Sequence, residues 1–204
     1  MIRTSIDGDN LYQNVNIDYC TDTLSALDIS KILLGNQSSH LPVVLHTNKN
    51  TNIFFYWSGH GDEKDFRWLS STNAFTNNLM KNTVDELYSG GKFRKMLMCV
   101  EPCFSGSVVD VVQGVPGVLA ISSANEKESS FADNYSNELG VWMCDRFSSN
   151  LVSSIRQNPE ITYRDLYTYL VKHTLGSHVR IYNASLFDNL YRSNPREFFV
   201  KEQK

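Results

Sequence analysis

A chain of 204 residues with 41% hydrophobic and 12% aromatic content is long enough to bury a core of its own, and one domain over residues 1–204 is expected. Its net charge of -3 leaves no basic stripe, so nucleic acid and anionic membrane surfaces are not expected partners. No apolar run approaches the roughly 20 residues that span a bilayer. The start, Met1-Ile2-Arg3-Thr4, lacks a signal peptide's apolar segment, which leaves a cytosolic protein or one whose leader lies outside this numbering.

Residues 1 to 22 are polar and turn-rich, and Asp7-Gly8-Asp9-Asn10 reads as a tight turn between two extended pieces. Leu24, Leu27, Ile29, Ile32 and Leu34 recur at helical spacing, with Asp22 or Thr23 as N-cap and Gly35 as C-cap. After a polar loop comes the apolar run Asn52-Ile53-Phe54-Phe55-Tyr56-Trp57, which ends at Ser58-Gly59-His60-Gly61. A charged rim, Asp62 to Asp65, and a short extended piece, Phe66 to Leu69, follow. Leu79, Met80, Val84, Leu87 and Tyr88 then mark a helix from Thr76 to Tyr88, stopped by Gly90-Gly91.

The next apolar run is Lys95-Met96-Leu97-Met98-Cys99-Val100, ending at Glu101-Pro102-Cys103-Phe104-Ser105-Gly106. Neither run alternates, so both are expected to be buried on two faces in mid-sheet, and the helix between them makes them parallel. A third strand, 117 to 124, brings the polar loop 125 to 132 to the same edge. A helix is expected over about Leu139 to Ile155, with Val141, Trp142 and Cys144 on its buried side. Another runs from Tyr163 to Thr174 behind Thr162, and a final strand covers His178 to Asn183. Alternating strands and helices without internal repeats make the fold α/β.

Ligands in an open α/β sheet sit beyond the carboxyl ends of the strands. The first two strands place His60 and Cys103 there, an imidazole and a thiol that can act as base and nucleophile. Among the four cysteines, Cys99 falls in a buried strand, Cys144 in the expected helix and Cys20 in a polar loop. Only Cys103 stands in a motif. No Cys-x-x-Cys or paired-histidine spacing of the zinc kind occurs, so no metal is expected. Glu101 ends a buried strand beside the thiol, where a charge is costly unless it has a purpose.

The strand ending in His60-Gly61, followed by Glu101-Pro102-Cys103-Phe104-Ser105-Gly106, resembles the legumain family of cysteine peptidases. Asp9-Asn10-Leu11-Tyr12, Phe93-Arg94-Lys95-Met96 and Ser123 to Ser130 are similar to other parts of that family, and the resemblance covers about residues 9 to 150. It implies a caspase-like three-layer sandwich with a mostly parallel central sheet flanked by helices. It also implies His60 as acid and base, Cys103 as nucleophile, and the N-H groups of Gly61 and Cys103 as donors to the oxyanion. A side chain at Gly61 would crowd the substrate carbonyl. The resemblance further implies a substrate pocket made by Glu101 and Ser130, with Ser129 beside it, that accepts an asparagine side chain.

Two departures qualify what the resemblance implies. Leu139-Gly140 is followed by Val141 where legumains carry the acid that completes the pocket; the segment Gly140 to Phe147 is closer to the GPI transamidase branch. The strand, helix and strand that open the family domain have no match before Met1. A companion N-terminal fragment of the same precursor, or an oligomer covering the gap, is therefore expected as a partner beside the peptide substrate. The function implied is a thiol endopeptidase cutting after asparagine or a similar residue without a cofactor, in a lysosomal, vacuolar or other extracytoplasmic space. The alternatives are a transamidase or ligase using the same pair, or a non-catalytic binding module that keeps the fold.

Overall fold

Strands form where apolar, β-branched and aromatic residues run without polar interruption, and in the computed structural model the longest such runs become the centre of the protein. The structure describes residues 15–63, 65–67 and 74–199. Strands β1 (Asn52–Trp57) and β5 (Lys95–Val100) lie side by side and parallel, in the register Asn52 to Lys95 through Trp57 to Val100. Strand β6 (Val118–Ser122) pairs parallel to β5, and β9 (Arg180–Tyr182) closes the sheet antiparallel to β6. The order β1-β5-β6-β9 is therefore mostly parallel.

Between β1 and β5 the chain makes a small antiparallel sheet, β2 (His60–Asp62), β3 (Asp65–Arg67) and β4 (Ala74–Thr76). Helix α2 (Asn77–Ser89) follows, capped by Thr76, whose hydroxyl accepts from the N-H of Leu79. Helix α1 (Ala26–Leu34), α2 and the short α3 (Ser105–Val109) cover one face of the sheet; α4 (Arg146–Gln157) and α5 (Tyr163–His173) cover the other. These are the three layers of a caspase-like fold. The asymmetry of each helix supplies its buried stripe: Met80, Val84 and Leu87 from α2, and Phe147 and Leu151 from α4.

Phe147 is fully buried among Leu97, Cys99, Leu119 and Ile121. Phe147→Ala is expected to cost about 3–5 kcal/mol through lost contacts and the cavity left behind, measurable as a lowered midpoint in urea unfolding.

Several expectations are corrected. The N-cap of α1 is Ser25, not Asp22 or Thr23: the Ser25 hydroxyl accepts from the Asp28 N-H while Asp28 Oδ2 accepts from the Ser25 N-H, a reciprocal capping box. Gly35 does end that helix in the left-handed conformation, but Leu27 faces solvent. Strand β5 is buried on both faces, whereas β1 is an edge strand among the described residues, with Phe54 38% and Tyr56 42% exposed. The stretch expected to be one helix from Leu139 is a hairpin, β7 (Ala132–Ser136) and β8 (Val141–Asp145), followed by α4. Gly140 turns the hairpin at φ 66° and Asp145 caps α4, so Val141 and Trp142 are exposed rather than buried and Cys144 lies in a strand. The turn expected at Asp7 to Asn10 lies outside the described residues.

The C-terminal segment also packs closely. Glu197 accepts from Lys95 Nζ at 2.9 Å and from Tyr163 Oη at 3.1 Å, and Phe199 stands edge-on to Phe54 with ring centres 4.9 Å apart.

Candidate active site

The carboxyl ends of β1, β5 and β6 meet at one rim. Beyond β1 the chain turns through Ser58-Gly59 into His60 and Gly61 of β2. Beyond β5 it turns through Pro102, Cys103 and Phe104 into α3. Phe104 adopts φ 56° and ψ 19°, a left-handed conformation uncommon for a residue with a large side chain. That sharp turn is held by the bonds from Phe104 N-H to Glu128 O at 2.8 Å, from Ser105 N-H to Pro102 O at 3.1 Å and from Gly106 N-H to Ala124 O at 3.1 Å. The loop after β6 therefore fixes the turn that carries Cys103.

Gly61 seats against that turn. A β-carbon at Gly61 would lie 2.2 Å from the carbonyl oxygen of Cys103 and 2.7 Å from Cβ of Pro102. The backbone beside His60 thus touches the backbone of Cys103. The N-H of Cys103 makes no hydrogen bond among the described residues, and its half-buried thiol lies 3.8 Å from the carbonyl oxygen of Ser130.

His60, Cys103, Glu101 and Ser130 line one cavity of about 1040 Å³. Its floor comes from the outer face of β1 and β5, one wall from α4, and the other from the β7-β8 hairpin. Ser129, beside Ser130, is exposed and lies off the cavity wall. Glu101 is 8% exposed and accepts three hydroxyls: Tyr56 Oη at 2.7 Å and Ser148 Oγ on Oε2, and Ser58 Oγ on Oε1. Ser130 Oγ donates to Asp145 Oδ2 at 2.7 Å. Burial, which the neighbouring charge of Glu101 reinforces against the bond from Ser130, pushes the Asp145 carboxyl up to about 6. Burial likewise raises the thiol of Cys99, which lies in the core, to about 12, so it is held as a neutral thiol.

The motifs do not point to Asp145, Tyr56 or Ser148. Tyr56 belongs to the apolar run of β1, and a helical pattern extended over residues 139 to 155 masks both the capping position of Asp145 and the place of Ser148 in the first turn of α4. A signal was present: Asp145 immediately precedes a polar-apolar helical pattern, as an N-cap does.

An acid whose carboxyl is raised in the folded state takes up protons on folding between its unfolded and folded values. The stability that this carboxyl contributes is therefore present at low pH and lost as pH rises from about 4 through 6. Asp145→Asn keeps a capping side chain at the start of α4 and removes the titration. The difference in Tm between variant and parent is expected to shift in favour of the variant as pH rises from 4 to 7, read by scanning calorimetry across that range.

The chain matches the Peptidase C13 family over residues 1–194. It is 24% identical over 194 residues to the GPI-anchor transamidase of Saccharomyces cerevisiae, an alignment covering 93% of this chain and 46% of that protein. It is 26% identical over 186 residues to the vacuolar-processing enzyme delta-isozyme of Arabidopsis thaliana, covering 85% of this chain and 40% of that protein. Against human legumain the identity is 25% over 182 residues, covering 86% and 42%. The chain thus spans less than half the length of these relatives. With the family match extending over nearly all its residues and the two motifs meeting at one rim, the chain belongs to the Peptidase C13 family.

Proposed function

We propose that this protein is a cysteine endopeptidase in which Cys103 attacks the peptide carbonyl and His60 serves as base and then acid. The observation that carries the reading is the seating of Gly61 on the carbonyl of Cys103, beside His60, at the mouth of a cavity that both side chains line. A thiolate beside an imidazolium attacks; the tetrahedral oxyanion is met by the N-H groups of Gly61 and Cys103; the imidazolium protonates the leaving amine; water then releases the thioacyl group. No step requires a cofactor. Glu101 and Ser130 shape the pocket for the residue before the cut, for which asparagine or a similar residue is the choice the resemblance implies.

Interception of the thioacyl group by an amine instead of water would make the same residues a transamidase, a reading favoured by the yeast relative's name and by Val141. A vacuolar or other extracytoplasmic location is proposed from the plant relative's name; among the described residues no helix is long and apolar enough to cross a membrane. The edge of β1 that pairs with no strand among the described residues is proposed to receive one from a companion segment of the same precursor or from a second copy. Sedimentation of the chain as a monomer at all concentrations would remove the second copy.

The test is a fluorogenic peptide panel varied at the residue before the cut, at pH 5 to 8, with and without a glycine amide or hydroxylamine acceptor. Cleavage that His60→Ala lowers by about 10²-fold or more supports the reading. Acceptor adducts seen by mass spectrometry favour the transamidase branch. A folded sample, with every chain of the mature protein present, that cleaves and transfers nothing is a binding module instead.

A further inference from the structure

Strand β9 runs antiparallel to β6, with Ser122 opposite Arg180, so the chain entering β9 passes the rim where β6 leaves the sheet. Ser177 and His178 lie on that approach, and each reaches towards one flank of the turn that carries Cys103. Ser177 Oγ donates to the carbonyl of Ser123 at 2.7 Å, and both serines are buried. Ser123 in turn grips the end of β5: its N-H donates to Val100 O at 2.9 Å and its hydroxyl to Glu101 O at 2.6 Å. Those two carbonyls stand immediately before Pro102 and Cys103.

Glu128 serves the other flank. Its backbone carbonyl accepts from the N-H of Phe104 at 2.8 Å. Its Oε1 accepts from the N-H of Asn125 at 2.9 Å and from the N-H of His178 at 2.6 Å, and Oε2 lies 2.7 Å from His178 Nδ1. Burial works against ionisation of Glu128, but the bonds from Asn125 and His178 hold its carboxyl below the ordinary range. An ionised carboxylate only accepts, so Nδ1 carries the hydrogen of that bond. One side chain therefore closes the loop upon Asn125 and ties it to residue 178. Two residues further on, Ser130 O stands 3.8 Å from the Cys103 thiol.

We propose that Ser177 and His178 are positioning residues for Cys103: through Ser123 and Glu128 they anchor the loop after β6, and that loop fixes the backbone on both sides of the nucleophile. The turn needs such bracing. Phe104 holds a left-handed conformation that its side chain disfavours, and strain of this kind persists only where the surroundings over-determine it. The pair of His178 and Glu128 is suited to orientation more than to stability. The histidine side chain is 72% exposed, and an ion pair so open to water adds little to the folding free energy. A shift of about 1 Å at a reacting group, by contrast, costs about 10² in rate. The proposal rests on the peptidase reading for what the turn is used for, while the bracing itself can be measured without catalysis.

The experiment compares the parent with His178→Ala, His178→Asn and Ser177→Ala, with every chain of the mature protein present. Asparagine carries an N-H donor on its γ-carbon, as histidine carries Nδ1, and so keeps the bond to Glu128. Amide hydrogen exchange followed by NMR is expected to be about tenfold faster at Phe104 in His178→Ala, and at Ser123 in Ser177→Ala, with the amides inside β5 unchanged. In peptide cleavage, His178→Ala is expected to lower kcat about tenfold or more with KM within a factor of about three, and His178→Asn to recover most of that loss. Unchanged exchange at Phe104 and Ser123, faster exchange spread over the whole sheet, or an asparagine variant no better than alanine overturns the proposal. If the parent cleaves no peptide, the peptidase reading falls, and the exchange rates alone decide whether Ser177 and His178 hold the turn.

Discussion

Cys103→Ala is expected to lower peptide turnover by about 10⁴-fold or more while leaving the fold in place. Removal of a nucleophile leaves only binding and oxyanion stabilisation to speed the reaction, and no other side chain can form the thioacyl intermediate. The three remaining cysteines cannot substitute. Cys99 is buried and held as a neutral thiol, Cys20 lies before α1 and outside the cavity, and Cys144, although on the cavity wall, has its thiol raised chiefly by burial. The thiol of Cys103 is half-buried and its side chain makes one weak contact, to the carbonyl of Ser130, so alanine leaves little unpaired. Circular dichroism and Tm are expected to match the parent. A variant that unfolds, or one that keeps turnover within tenfold, contradicts this placement of the nucleophile.

Gly61→Ala carries the next largest effect, and its cause is geometric. The added methyl would stand 2.2 Å from the carbonyl oxygen of Cys103 and 2.7 Å from Cβ of Pro102, both far inside contact distance. Neither neighbour is the flexible end of a long side chain, so β2 and the turn after β5 must part by roughly 1 Å. A displacement of that size between reacting groups costs about 10² in rate, and the same movement pulls the N-H of residue 61 away from the oxyanion. The expected result is a loss of kcat/KM of about 10²-fold or more, with a slower reaction of Cys103 with iodoacetamide as His60 and the thiol separate. A rate within a factor of three of the parent would show that the two rims do not act together.

Much of this arrangement is legible in the order of residues. The runs Asn52 to Trp57 and Lys95 to Val100 are apolar, of strand length, and stop at small residues, and a helix of 13 residues between them demands a parallel crossover. That alone delivers His60 and Cys103 to one rim. The helix ends at Gly35 and after Thr76 and Thr162 follow from capping chemistry within a few residues of each other. Local cues fail where two structures fit one pattern. Phe147, Leu151 and Ile155 have helical spacing, and extending it backwards swept Val141, Trp142 and Cys144 into the helix, although the left-handed turn at Gly140 and the cap at Asp145 break the chain there.

The amino-acid sequence by itself determined the α/β class, the two strand ends that carry an imidazole and a thiol, and the motifs that mark the family, because each depends on residues close together in the chain. Tertiary structure alone decided that β1 lies at an edge of the sheet among the described residues, with Phe54 and Tyr56 facing a cavity, and that Glu101 is ringed by hydroxyls. Tyr56 and Ser148 are 92 residues apart, and no local pattern links them. They meet because burial of Phe147 and Leu151 presses α4 onto the sheet, which sets the first turn of that helix, with Asp145 and Ser148, against the end of β5. Short-range preferences choose the elements, but long-range packing chooses which polar groups must share one low-dielectric space.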